Sequence, residues 1–366
     1  MSQTLKIAQE LITIPSASAN EAQILQWITR FLAKCGLEPQ KINNGVVCKL
    51  VGSNSTKALV FNGHVDTVGP GDLAAWHTPP LQAIVQNGKL YGLGASDMKS
   101  GVAVMLALAA QYSQYQPPID LWFHFVGQEE TSGQGTNDVM AWFEKNHLQS
   151  YTQIAGILLE PTSLACIEIA HKGNIFLKLA TKGESGHGST PEVIKQFSFV
   201  EMQAAIEELY ALVGSWVEQY SDTILGKPTV VLTSIMAGDV ATPNKVPDRC
   251  TATFDLRTTP ALHDKALDLI KNQLSDHAEV QTVYEPLPCG YTAENEHIVQ
   301  LVKQITGLPI TSTPGSTDML FFTALGIPAI IVGPGEKSVE HKANEFVELD
   351  KIEKTITYMN AIIERF

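Results

Sequence analysis

Cysteine is scarce in these 366 residues, and what there is comes without pattern. The five thiols (Cys35, Cys48, Cys166, Cys250 and Cys289) are odd in number, scattered, and nowhere paired at metal-ligand spacing. That argues against a disulfide framework or a thiolate metal site, and they read as reduced, mostly buried thiols. Basic residues are also few: 25 Lys and Arg stand against 38 Asp and Glu, for a net charge of −13. Such a balance argues against a nucleic-acid partner, which needs clustered Lys and Arg, but not against a small anionic substrate. Long apolar runs are missing; GVAVMLALAA, about ten residues, is too short to span a bilayer, so no membrane partner is expected. The opening MSQTLKIAQELITIPS has no basic region followed by an apolar core and a small-residue cleavage site. No signal peptide is read, and a cytoplasmic location is expected. Repeats and low-complexity tracts are absent as well.

What is present is enough for more than one core. A hydrophobic content of 44% and a charged content of 17% over 366 residues predict two well-buried domains. Helix-period positions cover 3–13 and 21–35, the second opening after Asn20 as a possible cap. Apolar strands are expected at 57–63, 119–127 and 154–160, with a buried Ala- and Leu-rich helix at 99–112. This alternation predicts an α/β layer with helices packed on a central sheet. The style then changes. The stretch 174–183 alternates apolar and polar residues, and a helix at 192–220, strands at 229–238 and 250–258, a helix at 261–275 and a strand at 279–285 follow. That is a self-contained α+β, ferredoxin-like order. A strand at 327–335 and a helix at 350–365 return to the first style. The predicted fold is therefore an α/β domain with a mixed central sheet, in two parts (1–170 and 285–366), interrupted by an inserted domain at 171–284.

Acids and histidines fall at the ends of these strands. In LVFNGHVDTVGPG (59–71), His64 and Asp66 follow the first strand; alone, they could be a satisfied histidine and ordinary turn chemistry. Asp97 precedes the buried helix, Glu129 and Glu130 close IDLWFHFVGQEE, Glu160 closes IAGILLE, and His341 follows IPAIIVGPG. Ligands of open α/β sheets bind outside the carboxyl ends of strands. Histidine and carboxylate without cysteine suit metal-assisted hydrolysis by zinc, with cobalt or manganese as alternatives. At the Glu129–Glu130 doublet, strand alternation would aim one carboxylate at metal and the other at water.

An ordered set of stretches carries a resemblance. GHVDTVGPGD, GKLYGLGASDMKSG, GQEETSGQGT, LLEPTSL, AHKGN, GESGHGSTP, PNKVPD, DLRTTP, PGSTDM and EHKANE run from one end of the chain to the other. In that order they resemble the M20 metallopeptidases and deacylases, the group of acetylornithine deacetylase and succinyl-diaminopimelate desuccinylase. The resemblance implies two zinc ions per subunit, with cobalt or manganese able to substitute. His64, Asp97 and Glu160 would surround one, and Asp97 would bridge to a second held by Glu130 and His341. It implies Glu129 as general base and Asp66 as the residue that orients His64. It makes the inserted domain a lid and dimer contact, with His187 reaching the partner subunit's site; a plain loop histidine is the other reading of GESGHGSTP. Asn244, Arg257, Ser316 and Thr317 match substrate-binding positions, although Arg257 could equally be a solvated strand residue. PGSTDM departs from the desuccinylase pattern, whereas a glutamate at 160 is the form of both named branches. The expected enzyme is a homodimeric amidohydrolase of amino-acid biosynthesis acting on an N-acyl amino acid. A dipeptidase or carboxypeptidase on the same centre is the alternative, and an inactive binding protein the third.

Overall fold

The computed structural model describes residues 2–274 and 276–366. Met1 and Ser275, the latter the last position of the expected 261–275 helix, lie outside the described residues. The chain divides into two compact units, Met1–Ala170 with Gly290–Ser312 and Thr317–Phe366, and His171–Cys289 with Thr313–Ser316.

The first unit is built on a nine-stranded sheet. Its path runs Gln40–Ile42, Gly45–Leu50, Ile119–Val126, Asn54–His64, Gln153–Leu158, Ala329–Ile331, Ile167–His171 and Gly290–Tyr291, with Ile310–Thr313 beside Ile167–His171. Asn54–His64 is parallel to both its neighbours, and Ala329–Ile331 is parallel to Gln153–Leu158. Gly45–Leu50 pairs antiparallel with Ile119–Val126, and Ile331 pairs antiparallel with Glu168, so the sheet is mixed. Every residue of Ile119–Val126 and the last seven of Asn54–His64 are buried, which is why both read as continuous apolar runs rather than alternating ones. Phe61 and Phe123 stack at 5.3 Å between ring centroids on neighbouring strands.

Helix Lys99–Tyr112 is buried almost all round and packs against Gln3–Thr13 and Leu349–Ile363. Gly101 permits its closeness to the sheet, because a Cβ there would collide with the Leu159 carbonyl oxygen. Gly135 does the same for helix Gln134–Asn146, where a Cβ would strike the Gly127 carbonyl oxygen. The helices Ala22–Lys34 and His297–Thr306 and the short Met319–Thr323 are the other α-helices among the described residues of this unit. Ala22–Lys34 opens at Glu21 rather than at the expected Asn20, and Glu21 makes no side-chain cap bond to its own helix. No helix among the described residues is long and apolar enough to cross a membrane.

The second unit carries a four-stranded antiparallel sheet in the order Thr229–Ala237, Arg249–Thr258, Gly173–Lys182, Glu279–Thr282. Arg249–Thr258 alternates buried and more exposed residues along its length. Its inward side chains Ala252, Phe254 and Leu256 meet Leu209 and Trp216 of helix Ser198–Tyr220 and Ile270 of helix His263–Gln273. The first of these helices starts six residues later than 192, the expected start. Pro191–Val193 form a separate 3-10 turn, after which Glu184 N donates to Gln196 O and Lys195 N to Glu184 Oε2, both at 2.8 Å, which holds the chain out of the helix until Ser198. Similarly, only Ala329–Ile331 of the expected strand 327–335 is paired; Gly333 and Gly335 then thread against the Leu159 and Ser96 carbonyls, where no Cβ fits.

Candidate metal centre

His64 ends a central strand and is 1% exposed. Its Nδ1 lies 3.1 Å from the Asp66 carbonyl oxygen. A carbonyl can only accept, so the proton sits on Nδ1 and Nε2 faces outward as a ligand would. That Nε2 is 3.0 Å from Asp97 Oδ1 and 3.6 Å from Glu160 Oε2. The Asp66 carboxylate stands further off, at 3.5 Å from Nδ1. It accepts from Ser18 Oγ at 2.7 Å and from the amides of Glu129 and Glu130 at 3.3 Å each. Asp66 thus orients His64 mainly through its backbone and the doublet through its side chain.

The second oxygen of Asp97, Oδ2, is 3.3 Å from His341 Nε2, which lies 2.9 Å from Glu130 Oε2. One ligand atom each from His64, Asp97 and Glu130 lie within 4.8 Å of one another. His341 has a positive φ of 57° and a side chain 53% exposed, so it closes the cluster on its solvent side.

The doublet departs from the strand-end geometry expected of it. The strand stops at Val126, and Glu129 and Glu130 sit in a turn closed by Ser132 N and Gly133 N on the Gln128 carbonyl, at 3.0 and 2.8 Å. Gln128 breaks the extension with φ of 64°, and its amide donates to Glu21 Oε1 at 3.0 Å. Different orientations of the two carboxylates therefore arise from a clamped turn and not from strand alternation.

Electrostatics show what the cluster suits. Six carboxylates (Asp66, Asp97, Glu129, Glu130, Glu160 and Asp318) crowd two imidazoles. Burial, reinforced by the charges of Asp97 and Asp318 against the opposing His64, pushes Glu160 up to about 7. Burial and the Asp66 charge likewise push Asp318 up to about 7. Glu129 is held well above the ordinary range by burial and by the charges of Asp318, Glu160 and Glu130. Burial disfavours a charged His64, yet Glu160, Asp66 and Asp97 outweigh it and hold the ring protonated far above its usual range. Hydrogen bonds from the protonated ring to the Asp97 and Glu130 carboxylates lift His341 to about 10. Buried carboxylates in this excess call for cations, and oxygen and imidazole donors without sulfur fit borderline divalent ions. The residues therefore fit a metal centre.

Three carboxylates near this centre were not singled out from the sequence. Glu21 accepts from Ala19 N at 2.8 Å as well as from Gln128. Asp318 accepts from Thr136 Oγ1 at 2.5 Å and Asn62 Nδ2 at 3.5 Å. Glu345 holds the loop that carries Asp97. Asp318 and Glu345 stand inside PGSTDM and EHKANE, and Glu21 closes SASANE; an acid inside an otherwise apolar, Gly-rich or ligand-bearing stretch was the available signal.

The remaining expected site residues find their partners within their own units. In the second unit, exposed His187 has Nδ1 2.7 Å from Ser189 Oγ and Nε2 3.2 Å from Asn244 Nδ2, with His187 paired to Lys245 across a two-residue ladder. Arg257 spends Nε and Nη2 on the two oxygens of Asp255, at 2.8 and 3.0 Å. Ser316 Oγ donates to the Lys172 carbonyl at 3.3 Å, whereas Thr317 Oγ1, in the first unit, accepts from Met319 N at 3.3 Å.

Comparison with known proteins finds a family and relatives that span most of the chain. The model of Peptidase family M20/M25/M40 matches residues 60–365. An acetylornithine deacetylase of Proteus mirabilis is 28% identical over 386 residues, covering 99% of this chain and 96% of its own. A succinyl-diaminopimelate desuccinylase of Magnetococcus marinus is 28% identical over 381 residues, covering 98% and 97%. Among solved structures, an M20 family metallo-carboxypeptidase from Sulfolobus solfataricus superposes with a TM-score of 0.78 at 20% identity, over 100% of this chain and 99% of that one. The last likeness concerns the fold, an α/β arrangement of a mixed sheet flanked by helices.

Proposed function

The chain belongs to peptidase family M20/M25/M40, and from that premise we propose a two-metal amidohydrolase that removes the acyl group from an N-acyl amino acid. The observation that carries this reading is Asp97, whose two oxygens address two different histidines, Oδ1 toward His64 at 3.0 Å and Oδ2 toward His341 at 3.3 Å. A carboxylate so placed is shaped to bridge. His64 and Glu160 would hold one ion with it, and Glu130 and His341 the other. Bound divalent ions, zinc in this proposal, would polarise the scissile carbonyl and make water a nucleophile at neutral pH. Glu129 takes the proton of the attacking water on its carboxylate and passes it to the leaving amine. Glu130, with its amide pinned beside that of Glu129, keeps its own carboxylate on His341.

The second unit is proposed as the lid and dimer contact, with His187 serving the partner subunit's site by stabilising the tetrahedral oxyanion. Its exposed ring, set between Ser189 and Asn244, supports that role. Asn244, Arg257, Ser316 and Thr317 are proposed around the substrate's polar groups; Arg257 keeps donors beyond the two committed to Asp255.

The substrates named for the two relatives, acetylornithine and succinyl-diaminopimelate, are N-acyl amino acids, which supports taking that class as the first reading. A peptidase is the second reading, favoured by the carboxypeptidase likeness. A panel of N-acetyl and N-succinyl amino acids and dipeptides, assayed with zinc or cobalt restored after chelation, decides between them. Turnover of dipeptides alone would replace the deacylase reading, and turnover of nothing with metal bound would reject both.

A further inference from the structure

Glu345 stands four residues beyond His341 and is 2% exposed. Its carboxylate accepts from three backbone amides of the loop leading to helix Lys99–Tyr112. Gly94 N donates to Oε2 at 2.8 Å, and Ser96 N and Asp97 N donate to Oε1 at 2.7 and 2.8 Å. The local ladder explains how it arrives there. Phe346–Glu348 pairs antiparallel with Lys89–Tyr91, Phe346 opposite Tyr91, and Gly92 N donates to the Glu345 carbonyl at 3.1 Å. The ladder stops at that point, and the side chain takes over where backbone pairing ends.

A buried carboxylate is costly unless its lone pairs are filled. Here both oxygens are filled by charge-assisted bonds from one loop, which are short and directional. One of the donors belongs to Asp97 itself, one bond from the Cα that carries the proposed bridging carboxylate. Only three residues separate Glu345 from His341, whose Nε2 faces Asp97 Oδ2 at 3.3 Å. The same carboxylate therefore ties together two ligand-bearing segments from distant parts of the chain, |i−j| = 248 for its bond to Asp97.

We infer that Glu345 is a positioning residue that sets the metal affinity of this centre, by fixing the Asp97 loop against the His341 segment. The inference rests on the metal reading above, and its test separates the two. Glu345→Gln keeps size and removes the charge. Whichever way its amide faces, an NH2 group opposes either Gly94 N or the pair Ser96 N and Asp97 N, so part of the clamp is lost. Metal-free wild type and variant are titrated with zinc against a chromophoric chelator, and their cobalt-loaded forms compared by visible absorption. The variant should bind zinc about 10- to 100-fold more weakly, the range for lost partners of metal ligands, and its cobalt spectrum should shift. A merely structural role lowers the melting temperature and leaves both readouts unchanged; that result overturns the inference. Wild type that binds no divalent ion overturns the metal reading, and this inference with it. Should Glu345→Gln fail to fold, Glu345→Asp keeps the charge on a side chain one methylene shorter and is titrated in the same way, with the same weakening expected. In metal-free wild type, the amides of Gly94, Ser96 and Asp97 should be protected from hydrogen exchange; exchange at open-loop rates would sink the clamp without any variant.

Discussion

The amide of Gln128 donates to the carboxylate of Glu21 at 3.0 Å across |i−j| = 107. Through this bond, the segment ahead of helix Ala22–Lys34 fixes the turn that carries the proposed base. Glu21→Ala should lower kcat roughly 10- to 100-fold, the range for residues that orient others at a metal site, with KM little changed. Substrate kinetics together with zinc content by elemental analysis check this. An unchanged kcat would show that the turn holds its shape unaided.

At the doublet, Glu129→Gln should keep both metals and lose roughly a hundred- to ten-thousand-fold in kcat, the usual worth of a general base. Glu130→Gln should instead reduce occupancy at one site, because Glu130 is the one in contact with His341. Wild-type turnover in Glu129→Gln would overturn the assignment of roles.

Metal and proton compete for the same atoms. The folded-state values of Glu160 and Asp318, about 7, and of His341, about 10, are all raised. At these three groups, folded metal-free protein thus binds more protons than the unfolded chain, and their contribution to stability falls as pH rises through these values. Divalent ions remove that penalty and need the deprotonated ligands. Zinc should therefore raise the melting temperature more at pH 8 than at pH 5.5. Equal rises at the two pH values would contradict the charge argument.

The proposed role of His187 across a dimer has a mixing test. Glu129→Gln and His187→Ala proteins, each nearly inactive, are unfolded and refolded together in equal amounts. Random pairing makes about half the dimers mixed, and one site in each is then intact, so about a quarter of wild-type activity should return. If recovery does not exceed the sum of the parents, with subunit exchange verified, His187 acts within its own subunit or only structurally.

Packing supplies the last prediction. Gly101→Ala places a methyl against the Leu159 carbonyl oxygen and Cβ, and overpacking of this kind costs about 1–3 kcal/mol. Urea unfolding should show a lower midpoint at constant slope. No change would mean that helix Lys99–Tyr112 can shift off the sheet.

The mixed sheet flanked by helices is legible because Asn54–His64 and Ile119–Val126 bury both faces and so carry unbroken apolar runs. Family membership is legible because ten motifs keep one order along the chain. The turn at Gln128 and the late start of helix Ser198–Tyr220 are not, since both follow from hydrogen bonds to Glu21 and Glu184 that no periodicity announces. Glu345 shows the general difficulty. A glutamate that fills its oxygens with backbone amides has the same letter as one in water, and only the fold tells them apart.

The position of Ala329–Ile331 in the sheet bears on how the protein is made. This strand lies between Gln153–Leu158 and Ile167–His171, although it is synthesised long after both. On the ribosome, those two strands emerge with the slot between them empty, and Gln153–Leu158 has one open edge until residue 331 leaves the exit tunnel. Open edges of apolar strands recruit other chains. The nascent protein therefore passes through an interval in which it depends on chaperones or on speed, and a chain released before residue 329 is left as a template for aggregation.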